Sequence, residues 1–186
     1  GRAVGCGGEL IITVAVPCYN EEPVLDLFYS AITAVAKEFP DTEFEFLFID
    51  DGSRDNTLGK VQSFAQKDSR VKYISFSRNF GKEAGIYAGL ENATGDYVVI
   101  MDADLQDPPS LLPQMIEILE KEGYDSVATR RVTRDGEPPI RSFFARMFYK
   151  LMNHISDVEI VDGARDFRLM TRRYVNSLLE MKEYNR

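Results

Sequence analysis

Two aspartates one residue apart, Asp102 and Asp104, close the apolar run Tyr97-Val98-Val99-Ile100-Met101. That run is rich in β-branched residues and reads as a buried parallel strand. Carboxylates at the C-terminal mouth of such a strand are costly unless a positive group neutralises them. Mg2+ or Mn2+ suits the task, because these hard cations prefer oxygen ligands and commonly bridge one or two carboxylates to substrate phosphates. Ligands of open α/β sheets also bind beyond the carboxyl ends of the strands. The pair is therefore a candidate metal–diphosphate site. The same residues can also be read as a solvated acidic turn, with Asp107 ahead of Pro108-Pro109 opening a helix.

Two further strand ends carry unusual residues. Val16-Pro17-Cys18-Tyr19-Asn20-Glu21-Glu22 follows one apolar run, and Asp50-Asp51-Gly52-Ser53-Arg54-Asp55 follows another. In a parallel sheet these ends share an edge and can converge on one ligand. Tyr19 could flank a base, and Asp51 could accept from the imide N–H of a pyrimidine. Singly, each segment also reads as a helix-opening turn or a turn with a cap; jointly they point to a site.

The elements that must position these residues alternate in type. Strands are expected over Leu10–Val16, Glu43–Ile49, Val71–Phe76, Tyr97–Met101 and Asp125–Ala128. Helices are expected over Pro23–Phe39, Thr57–Gln66, Glu83–Asn92 and Ser110–Glu122, with Ser53 and Asp55 offering capping oxygens to the second. Such alternation implies right-handed βαβ crossovers and a mostly parallel sheet with helices on both faces. Arg130 to Ile140, with Gly136 and Pro138-Pro139, reads as a loop.

The 186 residues, 44% apolar, suit one domain with a real core. Residues 1–9 are expected to be a disordered or vector-derived leader and 10–186 the domain, which stops in a charged helix-like segment, Leu178–Arg186. Cys6 and Cys18 give neither a disulfide framework nor metal spacing, so a reducing compartment is expected. A net charge of −8 argues against nucleic acid as partner. The charge is unevenly spread: residues 1–129 hold 10 Lys and Arg against 22 Asp and Glu, and residues 130–186 hold 12 against 8. The basic last third suggests contact with an anion or an anionic surface.

At this point the sequence resembles the family-two glycosyltransferases of GT-A (Rossmann-like) type. The residues that carry the likeness are Pro17-x-Tyr19-Asn20-Glu21-Glu22, Asp50-Asp51-Gly52-Ser53-x-Asp55-x-Thr57 and Asp102-Ala103-Asp104-Leu105-Gln106-Asp107-Pro108-Pro109. Ser77-Arg78-Asn79-Phe80-Gly81-Lys82-Glu83-Ala84 and Asp162-Gly163-Ala164-Arg165-Asp166-Phe167-Arg168-Leu169-Met170 narrow it to the polyprenyl-phosphate branch, which includes bactoprenol glucosyltransferases and dolichyl-phosphate mannose synthases. The resemblance implies a nucleotide-sugar donor, Mg2+ or Mn2+, and an inverting displacement in which the metal neutralises charge on the departing diphosphate. It implies that Pro17, Tyr19, Glu21 and Asp51 line the nucleoside pocket with Lys82 nearby. Asp102 would face the ribose or the metal, and Asp104 and Gln106 would hold the metal. It also implies membrane helices beyond the catalytic domain, hence the cytoplasmic side of the cell membrane, with self-association left open.

The acceptor decides what the remaining residues do. A sugar hydroxyl needs a general base, for which Asp166 is the candidate; a phosphate monoester, with a second pKa of about 6, needs cations instead. Arg130, Arg131, Arg141 and Arg168 are suited to a polyprenyl phosphate acceptor, and Asp166 would then orient Arg168 and the sugar hydroxyls. Over Arg141–Ile155, Phe144, Met147, Phe148, Leu151 and Ile155 form an apolar stripe opposite Arg146 and Lys150. Such a stripe suits either a membrane interface or the domain core. The Phe80-Gly81-Lys82 and Asp166-Phe167-Arg168 stretches look more like the bactoprenol enzymes, which favours UDP-glucose over GDP-mannose. The rival from another class is a non-catalytic nucleotide-binding module, which would predict erosion of the Asp102–Asp104 pair.

Overall fold

A computed structural model describes residues 9–130 and 164–184. Its spine is β1 (Leu10–Cys18), buried from Ile12 onward because apolar residues occupy both faces of the strand. After α1 (Glu22–Ala36), β2 (Thr42–Asp50) pairs in parallel with β1 along its whole length, Leu10 opposite Thr42 and Cys18 opposite Asp50. After α2 (Thr57–Lys67), β3 (Val71–Ser75) extends the sheet beyond β2. The chain then crosses back through α3 (Lys82–Asn92), so that β4 (Tyr97–Ile100) joins the opposite side of β1. A turn of 3-10 helix at Pro109–Leu111 leads into α4 (Leu112–Glu122), followed by β5 (Ser126–Arg130), β6 (Ala164–Thr171) and α5 (Arg172–Tyr184).

The strand order is β3-β2-β1-β4-β6-β5. The direction of travel reverses between β1 and β4, and in open α/β sheets such a crevice is where ligands bind. The mouth of β1 carries Tyr19–Glu22 and the mouth of β4 carries Asp102–Asp104. One face of the sheet packs Ile12, Val14, Phe46, Phe48, Val99 and Met101 against α1, α2 and α4. The other packs Val98, Ile100 and Met170 against Ile86 and Leu90 of α3 and Val175 and Leu178 of α5.

The expected α/β fold, with a mostly parallel sheet and helices on both faces, is therefore the observed one. Two departures have local causes. α1 stops at Ala36 and continues only as tight turns, with Phe39 N–H donating to the Ala36 carbonyl, because the residue before Pro40 is disfavoured in the helical region. β6 was not among the expected strands; it is antiparallel to β4 and β5, with Tyr97 opposite Thr171 and Ile100 opposite Arg168. Its Phe167 and Leu169 face one core and Met170 the other, so an interior strand carries charged residues between its apolar ones.

In the N-terminal half of β2, away from the mouth, a buried carboxylate ties the sheet together. Glu45 accepts from Thr13 Oγ1 (2.9 Å), the Thr94 N–H (3.1 Å) and Thr94 Oγ1 (3.0 Å), and pairs with Lys72 Nζ at 2.7 Å. Burial alone would raise its carboxyl, but the bonds from Lys72, the Thr94 amide and the two hydroxyls outweigh burial and hold it below the usual range. Stability from such a depressed carboxylate is complete above its unfolded value, about 4.3, and is lost as pH falls through the lower folded value. Glu45→Gln is expected to cost about 1–3 kcal/mol at pH 7 in urea titrations, with the gap to wild type closing as pH drops below about 4.

Candidate active site

The β1–α1 and β2–α2 loops are joined by bonds between side chains of one and the main chain of the other. Asn20, at φ 52°, is a residue type that tolerates the left-handed region. Its N–H donates to Ser53 Oγ (3.0 Å), and its Oδ1 accepts the Arg54 N–H (2.9 Å). The Glu21 N–H donates to Thr57 Oγ1 (2.9 Å) and the Glu22 N–H to Asp55 Oδ2 (3.2 Å). In return Glu22 Oε2 accepts the Asn56 N–H at 3.0 Å. Asp55 Oδ1 also accepts the Thr57 N–H (3.0 Å), but the N-cap of α2 is Asn56, which makes no side-chain cap bond, and Ser53 is spent on Asn20.

A second set of bonds holds the Ser77–Lys82 segment. Asp51, 3% exposed, donates its N–H to the Cys18 carbonyl (2.9 Å). Its Oδ1 accepts the Phe80 N–H (2.7 Å) and its Oδ2 the Gly81 N–H (3.0 Å). Next to it Gly52 adopts φ 68°, and a Cβ there would lie 2.3 Å from the Arg78 carbonyl carbon. Both the backbone angle and the close approach require glycine. The Asp51 carboxylate, expected to face a nucleobase, is an anchor for the loop that starts α3.

The third segment follows β4. Met101 and Ala103 are buried, which turns the alternating Asp102 and Asp104 away from that core. Leu105 takes φ 60° and packs against the core, while the Gln106 N–H donates to Asp104 Oδ1 (3.2 Å). A non-glycine residue held at positive φ costs of order 1–3 kcal/mol and is characteristic of functional sites. Asp104 and Gln106 are exposed, and Asp102 Oδ1 lies 2.7 Å from Lys82 Nζ, at the first turn of α3.

Charges on these loops act on Glu21 and Cys18. Burial pushes the Glu21 carboxyl up; Asp104 and Asp102 push it further, and Lys82 partly offsets them. Burial likewise raises the Cys18 thiol, and Glu21, Asp50, Asp102 and Asp55 add to the rise. Cys18 is thus a packed, un-ionised thiol beneath a carboxylate cluster. Asp102, Asp104 and the Gln106 amide are oxygen donors of the kind a hard divalent cation prefers. Among the described residues no three His, Cys, Asp or Glu side chains are grouped so that they could hold a metal ion.

The other candidates are distributed as follows. Pro17 is buried beside α3, where a Cβ on Gly85 would lie 3.5 Å from Pro17 Cβ, and Tyr19 is 41% exposed at the rim. Half-buried Arg168 donates to Ser126 Oγ (3.2 Å) across β6 and β5, so it braces that edge. Arg130 ends β5 and Asp166 lies in β6, two residues from Arg168 toward the β4 mouth. Arg131, Arg141 and the Arg141–Ile155 stripe lie outside the described residues. Phe80 entered the sequence analysis only as part of a family-like stretch, with no role at the site. It is 51% exposed beside Asp51, with the Arg78 guanidinium 4.6 Å from its ring centroid. An aromatic set between a polar triplet and a glycine was the available signal.

The sheet order and the carboxylate-lined crevice define a GT-A-type fold. The profile of "Glycosyl transferase family 2" matches residues 13–179. The chain is 46% identical to CsbB of Bacillus subtilis (strain 168) over 178 residues, 95% of this chain and 53% of that one. It is 40% identical over 174 residues to the "Prophage bactoprenol glucosyl transferase homolog" of Escherichia coli (strain K12), covering 94% of this chain and 56% of the relative. Among solved structures it resembles the mannosyltransferase PcManGT of Pyrobaculum calidifontis, crystallised with GDP-Man and Mn2+ (TM-score 0.62, 24% identity, 90% of this chain and 46% of that one). The chain belongs to glycosyl transferase family 2. It spans about half the length of the curated relatives it matches.

The anchoring role of Asp51 is directly testable. Asp51→Ala leaves the Phe80 and Gly81 N–H groups without their acceptor and is expected to cost about 1–3 kcal/mol in urea unfolding. Hydrogen exchange at those two amides should quicken; unchanged exchange would contradict the anchor.

Proposed function

We propose that this chain is the catalytic domain of an inverting, metal-dependent transferase. It moves a hexose, glucose by preference, from a nucleotide sugar, UDP-glucose by preference, to a polyprenyl phosphate at the cytoplasmic face of the membrane. The observation that carries the reading is the placement of Asp102 and Asp104 at the β1–β4 crevice, beside Glu21 and Lys82. The likeness to a relative named for bactoprenol glucosyl transfer supports the sugar and the lipid.

In this reading Asp102, Asp104 and Gln106 hold Mg2+ or Mn2+, which supplies Lewis-acid neutralisation of the departing diphosphate. Pro17, Tyr19 and Glu21 line the nucleoside pocket, Asp51 shapes it by fixing the Phe80–Gly81 loop, and Lys82 attracts the diphosphate. An acceptor phosphate oxygen attacks the anomeric carbon as the bond from that carbon to the diphosphate oxygen breaks, its electron pair leaving with the diphosphate. The acceptor is largely dianionic at neutral pH, so no base is required. Arg130, Arg131 and Arg141 hold the acceptor phosphate against repulsion from the donor. Arg168, braced on Ser126, positions the strand that carries Asp166, and Asp166 orients the sugar hydroxyls. The Arg141–Ile155 stripe rests on the membrane surface.

Calorimetric titration of UDP and GDP, each with and without Mn2+, tests the reading. UDP is expected to bind in preference, with Mn2+ required, and Asp104→Ala should weaken that binding on the order of tenfold or more. A preference for GDP would keep the mechanism and move the donor to GDP-mannose. A folded chain that binds neither nucleotide would sink the catalytic reading.

A further inference from the structure

Among the described residues, one buried side-chain polar atom has no hydrogen-bond partner: Thr129 Oγ1. Buried hydroxyls are nearly always bonded, because burial strips away water that only a partner can replace. Neighbouring hydroxyls follow that rule. Ser126 Oγ accepts from Arg168 (3.2 Å), and Thr171 Oγ1 donates to Asp125 Oδ1 (3.0 Å). The exception has a particular place in the sheet. β5 is antiparallel to β6, which is antiparallel to β4, so β5 runs with β4 and its end at Thr129–Arg130 lies on the mouth side. Ala128 stands opposite Arg168 and Arg130 opposite Ala164, so Thr129 alone faces three residues of β6, Arg165–Phe167. Such bulges disrupt the ladder locally and are over-represented beside active sites, where they re-aim side chains. Thr129 also lies two residues beyond Val127, and so on the face of β5 that packs against the cluster containing Phe167 and Leu169.

We propose that Thr129 is a specificity-determining residue whose hydroxyl bonds a hydroxyl of the sugar carried by the donor. The inference rests on the nucleotide-sugar reading given above. In that reading the nucleoside lies over the β1 and β2 loops, and the diphosphate lies at the mouth of β4. The sugar, at the far end of the diphosphate, then projects over β6 and β5, the next strands in order. Thr129 is two strands from β4, about 10 Å at ordinary strand spacing. A neutral hydroxyl among apolar residues suits a neutral sugar hydroxyl, whereas an anionic phosphate would be poorly solvated there. Rotation about χ1 exchanges Oγ1 with the methyl, which brings a covered hydroxyl to a ligand without movement of the strand. The hydroxyl lacks a protein partner in the free chain and gains one with the ligand, so the site favours sugars that present a hydroxyl at that point.

The test titrates UDP-glucose and UDP, each with Mn2+, into wild type, Thr129→Val and Thr129→Ser by calorimetry. Valine keeps the shape of the side chain and removes the hydroxyl. Thr129→Val is expected to bind UDP as wild type does, while its ratio of UDP-glucose to UDP affinity falls about five- to twentyfold, the loss of one hydrogen bond. Thr129→Ser, which keeps the hydroxyl, should keep the wild-type ratio. Circular dichroism melts confirm folding, and Thr129→Ala replaces Thr129→Val if the valine variant does not fold. An unchanged ratio in the folded variant, with UDP bound by wild type, overturns this inference and leaves the donor site standing. Weaker binding of UDP itself to the folded variant marks a structural role for the hydroxyl and also overturns it. Absence of UDP binding in wild type overturns both readings.

Discussion

Asp51 is the interaction on which the arrangement of the crevice depends. Its main chain is bonded to the end of β1, and its two carboxylate oxygens hold consecutive N–H groups at the start of α3. A buried carboxylate is tolerated only when donors replace its lost water, and the N-terminus of a helix provides unpaired donors and a favourable dipole. The one bonded unit therefore joins the mouths of β1 and β2 to the third loop. Gly52 is part of the same constraint, because the Arg78–Asn79 backbone lies where any side chain would begin. The result is that Lys82 is delivered to Asp102 by backbone bonds, and the long side chain has only the last few ångströms to cover.

The charge pattern follows from that geometry. Glu21 and Asp102 follow strands that are neighbours in space but about eighty positions apart in the chain, and Asp104 lies two residues beyond Asp102, just before Leu105 at positive φ. Partly buried Leu105 packs against the core, while Asp104 and Gln106 on either side of it are exposed. Burial raises the Glu21 carboxyl and the Cys18 thiol, and the neighbouring carboxylates add to both rises. Repulsion that folding maintains at a sheet mouth is stored affinity for a cation.

Much of this was legible in the sequence, and the exceptions share a cause. The β1, β2 and β4 runs are apolar on both faces, so they announce buried parallel strands, and their polar ends announce the mouth. β6 was missed because Arg165, Asp166 and Arg168 interrupt Phe167, Leu169 and Met170. A strand lying between β4 and β5 with one half toward the site can carry such residues, whereas a strand known only from its sequence cannot be recognised by them. The pairing of Asn20 with Ser53 and Arg54, and of Asp51 with Phe80 and Gly81, was also invisible. Each joins a side chain to main-chain or hydroxyl groups about thirty residues away, and no periodicity records such a bond.

α3 shows how a weak sequence signal can conceal a strong positional constraint. Its apolar residues do not form a wide stripe, because part of its contact with the sheet is made by glycine. A Cβ on Gly89 would stand 3.1 Å from Ile49 Cδ1 and 3.2 Å from Ala15 Cβ, and one on Gly85 would stand 3.5 Å from Pro17 Cβ. The helix therefore lies close over β1 and β2, nearer than side chains of ordinary size would permit. Two glycines one turn apart set the height of the helix, and Asp51 sets its start. Together they place the N-terminus of α3, with its dipole and Lys82, beside Asp102 at the mouth of β4.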